Sequence, residues 1–317
     1  MYLYHFGIKE LPFTLTPNTQ FFFGLPSHNE ALTVLKTALR SGEGFIKVTG
    51  EVGTGKTLVC RKLLNEMTKG FVAAYIPNPY LSPSELRHAV ASELQVDLPS
   101  NSDQQEFTQA IQQKLVEIRK QGQSVVLIID EAQALPDESI EALRLMTNLE
   151  TESAKLMQVV LFGQPELNQK IAKPELRQLR QRITFSYELA QMNADQIYQY
   201  VNHRMLVAGY TKEATLFSKS VCKKLLKASQ GTPRIVNTIC HKALMLAYGE
   251  GKFIVSNKHI LLAVSDTEAA EPIASRPWLA WALPAVICAI VTTSLLIHGS
   301  HGPQVQDFVS LMTEWHK

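Results

Sequence analysis

The chain has 317 residues, a formal net charge of +2, four cysteines and 45% apolar residues. That length allows about two domains with a buried core. The near-zero charge, without a Lys/Arg tract, argues against a dedicated nucleic-acid binder. Cys60, Cys222, Cys240 and Cys288 form no C-x-x-C pair, so a disulfide framework is excluded in favour of buried thiols in a reducing compartment. The N-terminus lacks the basic and apolar blocks of a cleavable signal peptide.

Residues 1–41 begin with an aromatic stretch in which Pro12-Phe13 and Pro17-Asn18 break any helix. A helix then runs to Arg40, with Ser27 as its expected N-cap and Glu30 closing a capping box. Residues 42–192 alternate apolar strands with helical segments. The strands are Phe45–Thr49, Phe71–Ile76, Ser124–Ile129, Leu156–Phe162 and Ile183–Leu189. The helices fall at Leu58–Lys69, Pro83–Leu94, Gln105–Lys120, Asp137–Glu150 and Glu175–Gln181. Continuous apolar strands between helices predict an α/β fold with a parallel sheet covered on both faces. Residues 193–267 contain only helical patterns: Ala194–Ala208, Thr215–Ser229, Pro233–Tyr248 and Asn257–Ser265. Residues 268–277 read as a linker. Residues 278–297 carry no charge over a length that crosses about 30 Å of hydrocarbon, which predicts a single transmembrane helix. Arg276 on its N-side places the large N-terminal part in the cytoplasm and the 298–317 tail outside. That tail has an apolar stripe of Val305, Phe308, Val309, Met312 and Trp315.

Between the first strand and its helix lies Gly50-Glu51-Val52-Gly53-Thr54-Gly55-Lys56-Thr57, a full G-x-x-x-x-G-K-[ST] phosphate loop. Its glycines let the backbone turn and approach phosphate, and its N–H groups converge on an anion at a helix N-terminus. Lys56 supplies charge for the β- and γ-phosphates, and the Thr57 hydroxyl is a magnesium ligand. Asp130-Glu131 closes the third strand. At the carboxyl end of a neighbouring parallel strand, Asp130 would hold Mg2+ and Glu131 would orient and deprotonate the attacking water. The expected ligands are therefore ATP and Mg2+.

Three further positions are weaker. Gln164, ending the fourth strand, either polarises the water or contacts the γ-phosphate, or is a surface turn residue. Arg177, Arg180 and Arg182 precede the fifth strand as either a solvated helix face or a source of one guanidinium for a neighbour's γ-phosphate. Arg234 opens a helix behind Pro233 and could fold back onto the γ-phosphate.

These residues together resemble the AAA+ ATPases of the general secretion pathway protein A type. The matching positions are Phe6-Gly7, Pro12-Phe13, Pro17, His28-Asn29-Glu30-Ala31, Gly50–Thr57, Asp130-Glu131-Ala132-Gln133, Gly163-Gln164-Pro165-Glu166-Leu167, Gln181-Arg182-Ile183, Arg204, Gly209 and Gly231–Arg234. The resemblance covers residues 1–266. It implies a P-loop AAA+ sheet of order 5-1-4-3-2 with an all-α lid, and ATP sites shared between subunits of a ring, a homo-oligomer expected to be a hexamer. It also implies Gln164 as first sensor, Arg182 as arginine finger with Arg180 in reserve, and Arg234 as second sensor. Members of the secretin-assembly kind continue into a peptidoglycan-binding region, whereas here a short tail follows the apolar run. The expectation is thus the branch serving type IV pilus biogenesis, with pilus or secretion assembly proteins as partners and a single-pass place in the bacterial inner membrane. The alternative is a DNA-binding ATPase of the transposition-regulator or initiator kind, which would need a basic surface or a winged-helix module after the lid.

Overall fold

A computed structural model describes residues 2–96, 104–148 and 155–273. The described residues up to Pro272 belong to one unit, Met1–Pro272. Five strands form its sheet: β1 (Phe45–Thr49), β2 (Phe71–Ile76), β3 (Ser124–Ile129), β4 (Met157–Gly163) and β5 (Ile183–Glu188). Every pairing is parallel and the order is β2-β3-β4-β1-β5, which is the expected 5-1-4-3-2 read from the other edge.

Successive strand residues point to opposite faces, and the burial follows that alternation. Val125, Leu127 and Ile129 of β3 enter one core with Val159 and Leu161 of β4. Val126 and Ile128 enter the other, with Ile46, Val48, Val160 and Phe162. Because both faces are covered, the central strands read as unbroken apolar runs, and β2 and β3 occur where the sequence places them.

The helices of the first part are α1 (Tyr2–Phe6), α2 (Pro26–Arg40), α3 (Lys56–Glu66), α4 (Pro83–Glu93), α5 (Gln104–Lys120), α6 (Asp137–Met146), α7 (Glu166–Ile171) and α8 (Arg177–Arg182). Two expectations need correction. The aromatic opening is not free of helix, since α1 forms ahead of the first proline. The N-cap of α2 is Leu25 rather than Ser27, and it makes no side-chain cap. Pro26, with φ preset and no N–H to satisfy, takes the first helical turn. Glu30 instead accepts a hydrogen bond from the Tyr187 hydroxyl (2.7 Å).

Four helices complete the unit: α9 (Ala194–Val207), α10 (Lys219–Ser229), α11 (Pro233–Gly249) and α12 (Asn257–Ser265). Asn193 and Gln196 form a capping box on α9. The α10 helix begins four residues later than its periodicity predicts. Phe217 is drawn into a bridge with Val255, and the Ser218 hydroxyl then accepts the Val221 N–H as N-cap.

Among the described residues no helix is long and apolar enough to cross a membrane. The expected span at 278–297 and the tail at 298–317 lie outside the described residues. The single-pass inner-membrane placement is accordingly withdrawn.

Candidate functional site

The carboxyl ends of β1, β3 and β4 converge, and the loops leaving them build the site. Gly50 follows β1 and donates its N–H to the Gly163 carbonyl at the end of β4 (3.2 Å). The chain then tightens: Thr54 Oγ1 donates to the Glu51 carbonyl (2.8 Å). Gly53 and Gly55 have φ of +82° and +100°, a region open to glycine at no steric cost. Close approach adds a second constraint. A Cβ on Gly53 would lie 2.6 Å from Arg234 Cβ, and one on Gly55 would lie 3.1 Å from His28 Cε1.

Two elements brace the loop from outside. His28, on α2 and 4% exposed, donates its Nε2–H to the Thr54 carbonyl (2.8 Å). Arg234, on the first turn of α11, donates its backbone N–H to the Gly53 carbonyl (3.2 Å). At the start of α3, Lys56 is 5% exposed and its Nζ donates to the carbonyls of Gly50 (2.8 Å) and Glu51 (3.0 Å). Burial pulls the Lys56 ammonium below the usual lysine range, opposed by the charges of Glu131 and Asp130.

The acidic pair closes β3. Asp130 is 3% exposed, and its Oδ2 accepts the Thr57 hydroxyl (2.7 Å) while Oδ1 accepts the Glu131 N–H (3.0 Å). Burial nonetheless pushes its carboxyl above the ordinary range. Glu131 has left-handed backbone (φ +53°), uncommon for a residue with a side chain. Its Oε2 accepts two side-chain N–H groups, from Gln133 (2.6 Å) and Gln164 (3.0 Å). Burial pushes this carboxyl up, but the two amides and Lys56 outweigh it and hold Glu131 below the ordinary range.

A cavity of about 330 Å³ opens over the loop. Val52, Gly53, Gly55, Lys56, Thr57, Glu131 and Arg234 line it. The expected residues of the phosphate loop, the acidic pair and Arg234 are thus brought to one place, with Gln164 reaching it through Glu131. Arg180 and Arg182 are not. Both are exposed on α8, and Arg180 Nη1 lies 3.5 Å from the Ala172 carbonyl. Phe45 pairs with Ile183, so Arg182 stands at the amino end of the sheet. That is roughly 16 Å from Gly50 at about 3.3 Å per strand residue. Arg182 therefore cannot serve its own chain's cavity.

The sequence marks Pro17 and Arg204 only as matching positions and does not place them, or the rest of a further wall, at the site. The segment from Thr14 to Asn18, with Tyr200, Arg204 and Asn237, also lines the cavity. Arg204 is 5% exposed, donates to the Pro12 carbonyl (2.5 Å) and the Tyr200 hydroxyl (2.9 Å), and lies over the Phe21 ring. Tyr200 in turn donates to Asn237 Oδ1 (2.9 Å). From the other side Arg61 of α3 donates to the Pro17 carbonyl (2.8 Å). Two cations on separate elements thus hold carbonyls at Pro12 and Pro17, one ahead of the segment and one within it. Spacing from Ile197, Tyr200 and Val201 puts Arg204 on the buried face of α9, a signal that could have set it apart from a solvated arginine.

Residues 39–171 match the family described as AAA domain. General secretion pathway protein A of Aeromonas hydrophila is 40% identical over 266 residues, covering 84% of this chain and 48% of that protein. The chain therefore spans about half the length of that curated relative. Among solved structures, Cdc6p from Pyrobaculum aerophilum superposes with a TM-score of 0.61 at 19% identity, over 80% of this chain and 70% of that one. The ORC2 protein of Aeropyrum pernix, solved as ADPNP–ADP complexes, gives 0.59 at 14% identity over 81% and 73%. A Walker-type ATPase of Pyrococcus abyssi gives 0.53 at 16% identity over 80% and 76%. These three likenesses show the fold.

Proposed function

The chain belongs to the AAA ATPases of the general secretion pathway protein A type, and from that premise we propose that it hydrolyses ATP, as the magnesium complex, to support assembly of a type IV pilus or related secretion machinery. One observation carries the chemical part. Lys56, Thr57 and Glu131 line a single cavity, and the Asp130 carboxylate is hydrogen-bonded to the Thr57 hydroxyl beside it.

The donor set fits the cation. Magnesium is a hard ion that takes oxygen ligands and is held by one or two carboxylates with substrate phosphates. Here a hydroxyl and a carboxylate sit 2.7 Å apart, and burial leaves that carboxylate short of compensating charge. Thr57 and Asp130 would hold the ion, which when bound neutralises charge on the phosphate oxygens. Gly50, Glu51, Val52, Gly53, Thr54 and Gly55 wrap the phosphates with backbone, and Lys56 leaves the two carbonyls it now serves to meet them. Glu131 takes a proton from a water whose oxygen attacks the γ-phosphorus as the bond to the β-phosphate bridging oxygen breaks and ADP departs. Gln164 and Arg234 contact the γ-phosphate. Arg182, or Arg180 in its place, reaches the site of a neighbouring copy, which makes the active species a ring.

The test uses the full chain. The Lys56→Ala variant should lose affinity for a fluorescent adenine nucleotide, whereas Glu131→Gln should bind it normally and release phosphate only at a small residual rate. Full affinity in the lysine variant would sink the reading. Co-purification with Glu131→Gln, followed by identification of the captured proteins, tests the assembly part; recovery of duplex DNA instead of secretion or pilus components counts against it.

A further inference from the structure

Gln133 lies two residues beyond Glu131, in the tight turn Ala132–Ala134. Three groups hold it. Its Nε2 donates to Glu131 Oε2 (2.6 Å), its Oε1 accepts the backbone N–H of Gln164 (3.0 Å), and its own carbonyl accepts Lys170 Nζ (2.9 Å). One amide therefore touches both the carboxylate that lines the cavity and the backbone at the end of β4. Its two ends cannot exchange. Reversal would set oxygen against a carboxylate oxygen and NH2 against an N–H, losing two hydrogen bonds for two repulsive contacts.

Two further features agree with a fixed amide. The left-handed backbone of Glu131 is uphill for a residue with a side chain, and such backbone persists where the surroundings over-determine it. Gly163 also leaves the amide its room. A Cβ there would lie 3.2 Å from Gln133 Oε1 and 2.6 Å from Leu167 Cδ2. With Oε2 occupied by two donors, Glu131 Oε1 has no hydrogen-bond donor among the described residues.

We infer that Gln133 is a positioning residue for hydrolysis: it fixes the Glu131 carboxylate through Oε2, keeps Oε1 free to take a proton, and ties that aim to the position of Gln164. The inference rests on the reading of Glu131 as the base. Gln133 does not line the cavity, so it acts through Glu131 rather than on the nucleotide.

The experiment compares the full chain with Gln133→Ala, Gln133→Glu, Glu131→Gln and the double variant Glu131→Gln/Gln133→Ala. The readouts are phosphate release with ATP and affinity for a fluorescent adenine nucleotide. Gln133→Ala should lower kcat about 10- to 100-fold, the scale of a misaimed catalytic group, with KM and nucleotide affinity within about threefold. Gln133→Glu is isosteric, cannot donate to Glu131, and carries the same test if the alanine variant does not fold. The double variant should be no slower than Glu131→Gln alone, because residues that act as a unit are non-additive. A kcat within twofold of the unmutated chain would overturn the inference, as would an affinity loss equal to the kcat loss or a full additive effect in the double variant. If Glu131→Gln itself hydrolyses ATP at the unmutated rate, the base assignment fails first, and the two failures are thereby told apart.

Discussion

Glu131 and Asp130 are neighbours in sequence that the fold sets on opposite sides of the ordinary carboxylate range. Asp130 is buried and only partly compensated, whereas Glu131 receives two amide N–H groups and the field of Lys56. A base held below its ordinary range stays ionised as the medium acidifies. At saturating magnesium, where the raised Asp130 carboxyl does not limit the rate, titration of Glu131 should therefore put no acid limb on hydrolysis above the ordinary glutamate range. A pH–rate profile with an acid limb near neutrality would contradict this. Asp130→Asn should keep the hydrogen bond to Thr57 but remove the charge, raising the magnesium concentration for half-maximal activity by roughly 10- to 100-fold. A magnesium titration of phosphate release checks it.

Between elements, the phosphate loop is gripped by α2 through His28 and by α11 through Arg234. The grip by His28 uses the neutral ring as donor, and burial lowers its pKa despite the Thr54 carbonyl. Between that lowered value and the ordinary one near 6.5, the unfolded chain binds more protons than the folded one. Stability from this histidine is thus complete above the ordinary value and is lost as pH falls through that window. His28→Gln should flatten the fall in melting temperature between about pH 7.5 and 5.5, as followed by thermal unfolding in matched buffers. At the second contact, Gly53→Ala meets both a left-handed φ and the Arg234 Cβ 2.6 Å away. It should destabilise the protein by about 1–3 kcal/mol and weaken nucleotide affinity together, because the loop cannot relax without moving α11. Unchanged affinity in a destabilised variant would separate the two elements.

Over the whole molecule, one strand's length separates Arg182 from the phosphate loop, so the finger role requires a second copy. Mixing inactive Glu131→Gln with inactive Arg182→Ala should restore activity, up to about a quarter of the unmutated rate if subunits assort at random around a ring with one finger per interface. No restoration, with both variants shown to co-assemble, would remove Arg182 from the site. Local chemistry was legible in the chain because it is written in contiguous letters. The phosphate loop, the Asp-Glu strand end and the unbroken apolar runs each follow from backbone freedom, charge or burial at neighbouring positions, and the sheet came out as those runs imply. The α2 cap was misread for a local reason too, since Pro26 outcompetes a serine one residue on. Only tertiary structure decided the rest. Arg204 and Thr14–Asn18 line the cavity, while His28 and Gln133 brace residues around it. Helical spacing sets His28 and Arg204 on the buried faces of α2 and α9 but does not say what they meet there. Hydrogen-bond partners of that kind are chosen by where the folded elements meet, and that meeting is a property of the whole sheet and its helices rather than of any stretch of chain.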